Sequence, residues 1–323
     1  MPNAIQISEH GGPEVMQHVD VPVGAPGPGE ARIHQMAVGV NFIDTYQRSG
    51  LYKVPLPLIL GQEGAGVVEA VGPGVSEVKV GDRVAYQGIL GGYAKHRLIK
   101  AEHLVPIPDG IDDKVAAAVL LKGLTAWFLL KQTYKVGKGD TILWHAAAGG
   151  VGLVACQWAK ALGATVIGTV GSEEKAELAR QNGCAHVINY RTEDFVARVK
   201  DLTGGKGVPV VYDSVGKDTF PGSLDCLKPR GLWVSFGQSS GTPPPFPVLL
   251  LLEKGSVFVT RPTIRHYITN REELVAAAAD LFAVIKDGSV KVTVGQEFPL
   301  AKAADAHHAL QGRHTKGATV LIP

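Results

Sequence analysis

The chain has 323 residues, 45% hydrophobic and 19% charged, with 32 basic side chains against 30 acidic ones for a formal charge of +2. That length accommodates two domains, each with its own core. The near-neutral balance, with no basic stripe and no aromatics interleaved with Lys or Arg, argues against nucleic acid as a partner. Apolar stretches such as FPVLLLL are too short to span a bilayer, and MPNAIQISEHGG lacks the basic and apolar regions of a signal peptide. Cys156, Cys184 and Cys226 lie far apart with no CxxC pair, the pattern of reduced, buried thiols in a cytoplasmic protein.

The first third alternates short valine-rich runs with Gly-Pro and Gly-Asp turns, as in PGPGEARIHQMAVGV, GAGVVEAVGPGV and VKVGDRVAY. This predicts a compact, partly closed β-barrel. At DGIDDKVAAAVLLKGLTAWFLLKQTY alanines and leucines recur at helical spacing, with Asp109 and Asp112 as candidate caps. From Thr141 onward the strand-like runs TILWHA, ATVIGTV, HVINY, VPVVYDS, LWVSF and SVFVTR alternate with helix-like ones: GLVACQWAKAL, SEEKAELARQN, TEDFVARVKDLTG and DTFPGSLDCL. Apolar strands alternating with amphipathic helices predict an α/β fold with a parallel sheet covered on both faces. The proline-rich SSGTPPPFPV reads as a disordered surface loop rather than a semi-rigid lid. After about Arg261, REELVAAAADLFAVIKDG reads as a helix, and GATVLIP as a terminal strand returning to the first domain.

The stretch HAAAGGVG follows a strand-like run and opens a helix-like one, and it matches A-x-G-x-x-G at Ala147, Gly149 and Gly152. In a dinucleotide-binding unit such a turn lets backbone approach a pyrophosphate and lets helix pack close to strand. The helix start at Gly150 and Val151 then offers N–H groups and a partial positive charge to the diphosphate. Ala in the first position is tolerated if its φ stays negative. The alternative is a glycine-rich turn with no ligand, and the strand–helix context favours the cofactor.

An NAD site usually has an acid about 20 residues further on, at the tip of the second strand. Here that tip is GTVGSEEK, with Gly171 and then Ser172 and Lys175, which suit a 2′-phosphate; Tyr190 adds a hydroxyl from the neighbouring strand end. Glu173 and Glu174 read as acids favoured at a helix start. The expected cofactor is therefore NADPH. Further strand ends supply Ser214 and Gly216, then Phe236, Gly237 and Gln238, and then Arg261 and Thr263.

With HGGPEV, GVNFIDTYQRSGLY, GAGVVEAVG, GDRVAY, LKGLTA, HAAAGGVGL, ACQWAKALGA, VINYRTEDF, VVYDSVG and TRPT in order along it, the chain resembles the medium-chain dehydrogenase/reductase superfamily. Within it the likeness is to the zinc-free quinone oxidoreductase branch that includes zeta-crystallin. The resemblance implies a GroES-like β-barrel catalytic domain at 1–123 and 262–323. It implies an inserted Rossmann domain at 124–261 with a doubly wound, parallel six-stranded sheet, the cofactor lying in the cleft. It implies NADPH-dependent reduction of a quinone and a homodimer, and it places Arg313 near the cofactor.

Zinc alcohol dehydrogenases of the superfamily carry Cys, His and Cys where this chain has Asn41, Gln62 and Lys122. An amide is a poor zinc ligand and an ammonium has no lone pair to give; Glu63 alone cannot hold a catalytic metal. No histidine forms an HxxxH or HExxH pair, and His145 and the adjacent His307 and His308 read as core or solvated residues. Without a Lewis acid, an electron-poor acceptor is the fitting substrate. Asn41, Tyr46, Gln62 and Lys122 are the candidate catalytic residues, with Asn41 and Tyr46 also touching the cofactor. Tyr52 and Thr125 are assigned to the substrate site, Phe128 to the cofactor, and Asp44 to anchoring the loop. Rival readings are an NADPH-dependent enone or enoyl reductase, with Tyr46 as proton donor, and a nucleotide-binding protein with a structural or RNA-associated role.

Overall fold

A computed structural model describes residues 3–312 and 315–323. The chain divides into two compact units. Unit 1 is the chain up to Leu124 with Asn270–Lys286 and Val292–Pro323, and unit 2 is Thr125–Thr269 with Asp287–Lys291.

Unit 1 begins with β1 (Ala4–Ile7), β2 (Gln17–Val19), β3 (Glu30–Val40), α1 (Phe42–Arg48), β4 (Leu58–Ile59), β5 (Glu63–Val71), β6 (Arg83–Gln87), β7 (His96–Lys100), β8 (Val105–Pro106) and α2 (Asp113–Phe128), whose last residues belong to unit 2. Unit 2 then supplies β9 (Thr141–Trp144), α3 (Gly150–Ala161), β10 (Thr165–Val170), α4 (Glu173–Gln181), β11 (Cys184–Asn189), α5 (Phe195–Leu202), β12 (Val208–Asp213), α6 (Gly222–Asp225), β13 (Leu227–Ser235), α7 (Leu249–Glu253) and β14 (Phe258–Thr260). The chain returns to unit 1 with α8 (Arg271–Lys286), β15 (Val294–Pro299), α9 (Ala303–Gln311) and β16 (Ala318–Ile322).

In unit 1 the alternating valine-rich runs form the expected barrel-like sheet, in the order β15-β16-β3-β5-β6-β8 with β7 also paired to β3. The eleven residues of β3 pair with β5 along most of their length, with β7 at one end and with β16 at the other. Ile33, Val68, Val84, Tyr86, Ile99 and Leu104 fill one core of this unit, while Ile5, Ile7, Val38, Val40, Leu60 and Leu321 fill another. Burial of such side chains, each contributing roughly 1.5–3 kcal/mol, is the main force closing the sheet.

Unit 2 is the parallel sheet that the strand–helix rhythm predicts, in the order β11-β10-β9-β12-β13-β14. The order reverses at β9, so the turn after β9 sits at the point where ligands bind in open sheets of this kind. Two local expectations are corrected. DTFPGSLDCL holds only the four-residue α6, because Pro221 occupies its N-cap and β13 begins at Leu227, earlier than expected. SSGTPPPFPV is irregular but anchored, since the Phe246 ring lies 5.1 Å from Phe220 and 6.3 Å from Trp233.

Candidate functional site

The glycine turn of unit 2 is shaped by close backbone approach. Gly149 caps α3 and donates its N–H to the Ala146 carbonyl at 2.8 Å. A Cβ on Gly152 would stand 2.5 Å from that carbonyl oxygen and 2.6 Å from that of Ala147, so only glycine lets the helix start this close to the strand end. Ala147 is buried, and its methyl lies against Gly168 of β10, where an added Cβ would come within 2.7 Å of it. The positive φ of the turn falls one residue earlier, at Ala146 (φ 55°), a strained position for a residue with a Cβ. Gly150, Val151 and Gly152 form the first helical turn, whose N–H groups have no carbonyl four residues back within the helix.

At the tip of β10, Ser172 caps α4 and its Oγ accepts the Lys175 N–H at 3.3 Å, which leaves its hydroxyl proton to donate. A Cβ on Gly171 would lie 2.5 Å from the Tyr190 hydroxyl, so Gly171, Ser172 and Tyr190 come together. Glu173 pairs with Arg180 at 2.9 Å, as a helix-start acid with a surface partner. Ser214 and Gly216 meet the loop after β13: the Ser239 N–H donates to the Ser214 carbonyl at 3.0 Å, and a Cβ on Gly237 would strike Ser214. Phe236 packs 5.6 Å from the Trp144 ring, Gln238 follows in the same loop, and Arg261 donates to the Ser235 carbonyl at 2.7 Å. Thr263 caps a short turn at 264–266. Phe128 is buried and stacked 4.8 Å from Tyr267, and Thr125 is half-buried one turn before it in α2. Arg313 lies outside the described residues.

In unit 1, residues from two separate segments, Asn41 and Leu121–Lys122, converge on Glu63. Its Oε2 accepts from Asn41 Nδ2 at 2.9 Å and from Lys122 Nζ at 3.0 Å, and its Oε1 accepts the Leu121 N–H at 2.7 Å. All of Asn41, Glu63 and Lys122 are buried. Gly39 of β3 makes room for this arrangement: a Cβ there would collide with both the Glu63 carboxylate and the Ala117 carbonyl. Gln62 is 2% exposed, and its Nε2 has no hydrogen-bond partner among the described residues. Tyr46 stands 5.3 Å from Tyr52, ring edge to ring face, with the Tyr52 N–H donating to the Tyr46 carbonyl.

Asp44 does more than anchor its loop. Its Oδ2 accepts the Asn41 N–H at 2.8 Å and the Tyr93 hydroxyl at 3.0 Å. The Tyr93 oxygen lies 2.9 Å from His307 Nε2, and Arg48 Nη1 lies 2.9 Å from His307 Nδ1. Burial pushes the Asp44 carboxyl up to about 7, against the pull of its hydrogen bonds. Burial, then the charge of Arg48 and the neighbouring His308, pushes His307 down to about 3. Sequence reasoning missed this chain because its members are up to 259 residues apart and no short motif joins them.

Two family models match the chain: an alcohol dehydrogenase GroES-like domain over residues 27–109 and a zinc-binding dehydrogenase domain over 150–284. A quinone oxidoreductase of Pseudomonas aeruginosa is 55% identical over the full length of both chains. A 2-haloacrylate reductase of a Burkholderia species is 49% identical over 99% of this chain and 98% of its own. The crystal structure of Escherichia coli quinone oxidoreductase complexed with NADPH superposes with a TM-score of 0.98 at 51% identity, covering 99% of this chain and 100% of that one. Although one model's description names zinc, the donor set here does not suit it. Both Glu63 oxygens are engaged by N–H donors, Lys122 presents an ammonium, and among the described residues no three His, Cys, Asp or Glu side chains group around a point.

Proposed function

Because the chain belongs to the quinone oxidoreductase branch of the medium-chain dehydrogenase/reductase superfamily, we propose that it is an NADPH-dependent quinone reductase. When bound, NADPH supplies the reducing equivalents from its nicotinamide. Gly149–Gly152 meet the diphosphate with main-chain N–H groups; Ser172, Lys175 and Tyr190 hold the 2′-phosphate. Ser214, Phe236, Gly237 and Gln238, with Arg261 and Thr263, contact the nicotinamide side. Fit is supported by the glycines, whose positions a Cβ would fill.

The observation that carries the choice of acceptor is the Lys122–Glu63–Asn41 cluster, which sets hydrogen-bond donors where related dehydrogenases set a metal. A quinone needs only a donor at the oxygen that gains electron density, and Lys122 Nζ and Gln62 Nε2 are such donors. Tyr46 and Asn41 orient the cofactor, and Tyr52 and Thr125 shape the acceptor site. The 2-haloacrylate reductase relative favours activated alkenes as a second substrate class. NADPH oxidation followed at 340 nm with 1,4-benzoquinone, 9,10-phenanthrenequinone and 2-chloroacrylate tests both. Quinone rates no higher than the rate without acceptor defeat the first reading.

Among the described residues no helix is long and apolar enough to cross a membrane, and the three free cysteines are buried, which suits a reducing compartment such as the cytoplasm. The near-neutral charge supports small-molecule over nucleic-acid partners. A homodimer is supported by the open edge of the unit 2 sheet, where Phe258 and Val259 of β14 stand exposed with Val248, Leu249 and Leu252. Light scattering of the native protein and of Phe258→Lys reads that state; a monomeric wild type refutes it.

A further inference from the structure

The chemistry proposed above makes no use of His145, whose imidazole is fully buried at the head of the glycine turn. Its Nδ1 lies 2.9 Å from Thr169 Oγ1 and its Nε2 3.2 Å from Ser223 Oγ. Ser223 in turn donates to Asp213 Oδ2 at 2.9 Å, as do Thr219 at 2.8 Å and the Trp233 indole at 3.1 Å. The other oxygen, Asp213 Oδ1, accepts the N–H groups of Val215 and Gly216 at 2.8 and 3.1 Å.

The donors and acceptors fix a direction. A hydroxyl has one proton, and the Ser223 proton goes to the carboxylate, so Ser223 accepts from His145 Nε2–H. Nδ1 is then the acceptor for the Thr169 hydroxyl, and the ring is neutral. Burial lowers the His145 pKa, which agrees with that tautomer. Burial disfavours the Asp213 carboxylate, and the hydrogen bonds it accepts from Thr219, Val215 and Gly216 favour it.

His145, Thr169 and Asp213 belong to three different strand ends, and Ser223 of α6 bridges His145 to Asp213. His145 is joined to the 146–152 turn, Thr169 sits two residues before Gly171, and Asp213 ties down the 214–216 loop. An apolar residue of similar size would fill the space without the cost of burying an imidazole and a carboxylate. We propose that His145 is a positioning residue for the dinucleotide, one neutral ring that holds three cofactor-facing loops in a single register. The inference rests on the reading that unit 2 binds NADPH. Preset loops spare the ordering cost that binding would otherwise carry.

His145→Ala would strip several partners at once and endanger the fold, so the test changes its neighbours in the full-length protein. Thr169→Val and Ser223→Ala each remove one hydroxyl, and Thr169→Ser keeps it. The NADPH Kd, measured by calorimetry, is expected to rise about fivefold in Thr169→Val and in Ser223→Ala, with a smaller change in kcat at saturating NADPH. Thr169→Ser is expected to bind as the wild type does. If the first two variants are merely less heat-stable and bind NADPH with wild-type Kd, the proposal is overturned. It is also overturned if Thr169→Ser binds as weakly as Thr169→Val. A wild-type protein that binds neither NADPH nor NADH defeats the dinucleotide reading itself, and this proposal with it.

Discussion

The Lys122 ammonium lies 3.0 Å from Glu63 Oε2, with the carboxylate side chain at 0% exposure and the lysine side chain at 8%. Such a pair is held by geometry, because each charge loses its water on burial and recovers only what its partners give. Lys122→Met leaves the carboxylate with Asn41 and Leu121 alone. Stability is expected to fall by about 3–5 kcal/mol in urea unfolding, with loss of quinone reduction. Adding Glu63→Gln to Lys122→Met removes the stranded charge and is expected to restore most of the stability without restoring activity. Recovery of both together would mean the lysine is only a structural counter-ion.

Asp44 and His307 give the same unit opposing pH responses. The Asp44 carboxyl stays protonated in the folded chain up to about pH 7, whereas unfolded it ionises near 3.8. Folding therefore retains a proton across that window, and the Asp44 contribution falls as pH rises, by at most about 1.4 kcal/mol per pH unit. His307 is neutral when folded down to about 3 but takes a proton near 6.5 when unfolded, so its contribution is lost as pH falls through that range. From about pH 4 to 6.5 the two slopes offset each other. Asp44→Asn removes only the first. Its stability relative to wild type should climb steadily between about pH 4 and 7, read from urea midpoints; a constant difference would show that Asp44 is already ionised in the fold.

The fold was readable because its signals are local. Strand and helix periods reveal the parallel sheet of unit 2, and HAAAGGVG marks the turn at its reversal point, a position that strand order confers. Asn41 and Lys122 were legible as residues of altered donor chemistry, and the structure brings both onto Glu63. The rest depends on pairings with no sequence period. Nothing near Arg48 announces His307, and nothing in DTFPGSLDCL announces that Ser223 will meet His145 across 78 residues. The strain at Ala146 was also hidden, because alanine gives no cue to a positive φ as glycine does.

Gly152→Ala tests the cradle directly. The new methyl would press on the Ala146 and Ala147 carbonyls at about 2.5 Å, and these are backbone atoms that cannot rotate aside. Either α3 or the turn must shift, at a cost of about 1–3 kcal/mol in stability. NADPH affinity should fall at least about tenfold, since the N–H groups lose their aim. Calorimetric titration beside a thermal melt separates the effects; an unchanged Kd would place the diphosphate elsewhere.

Lys175→Glu asks which dinucleotide the tip of β10 selects. Lys175 stands at the third position of α4, after Ser172 and beside the helix start that Glu173 and Glu174 share. A charged contact to a 2′-phosphate contributes about 1–3 kcal/mol, and a carboxylate in its place adds repulsion. The kcat/KM for NADPH should therefore drop by roughly ten- to a hundredfold, while that for NADH, which has no phosphate there, changes by less than about threefold. Lys175→Gln should fall between the two. The comparison is a ratio of two cofactors on one protein, so a general loss of folding cancels from it. Parallel losses with both cofactors would move the phosphate contact away from Lys175 and leave Ser172 and Tyr190 to carry the preference.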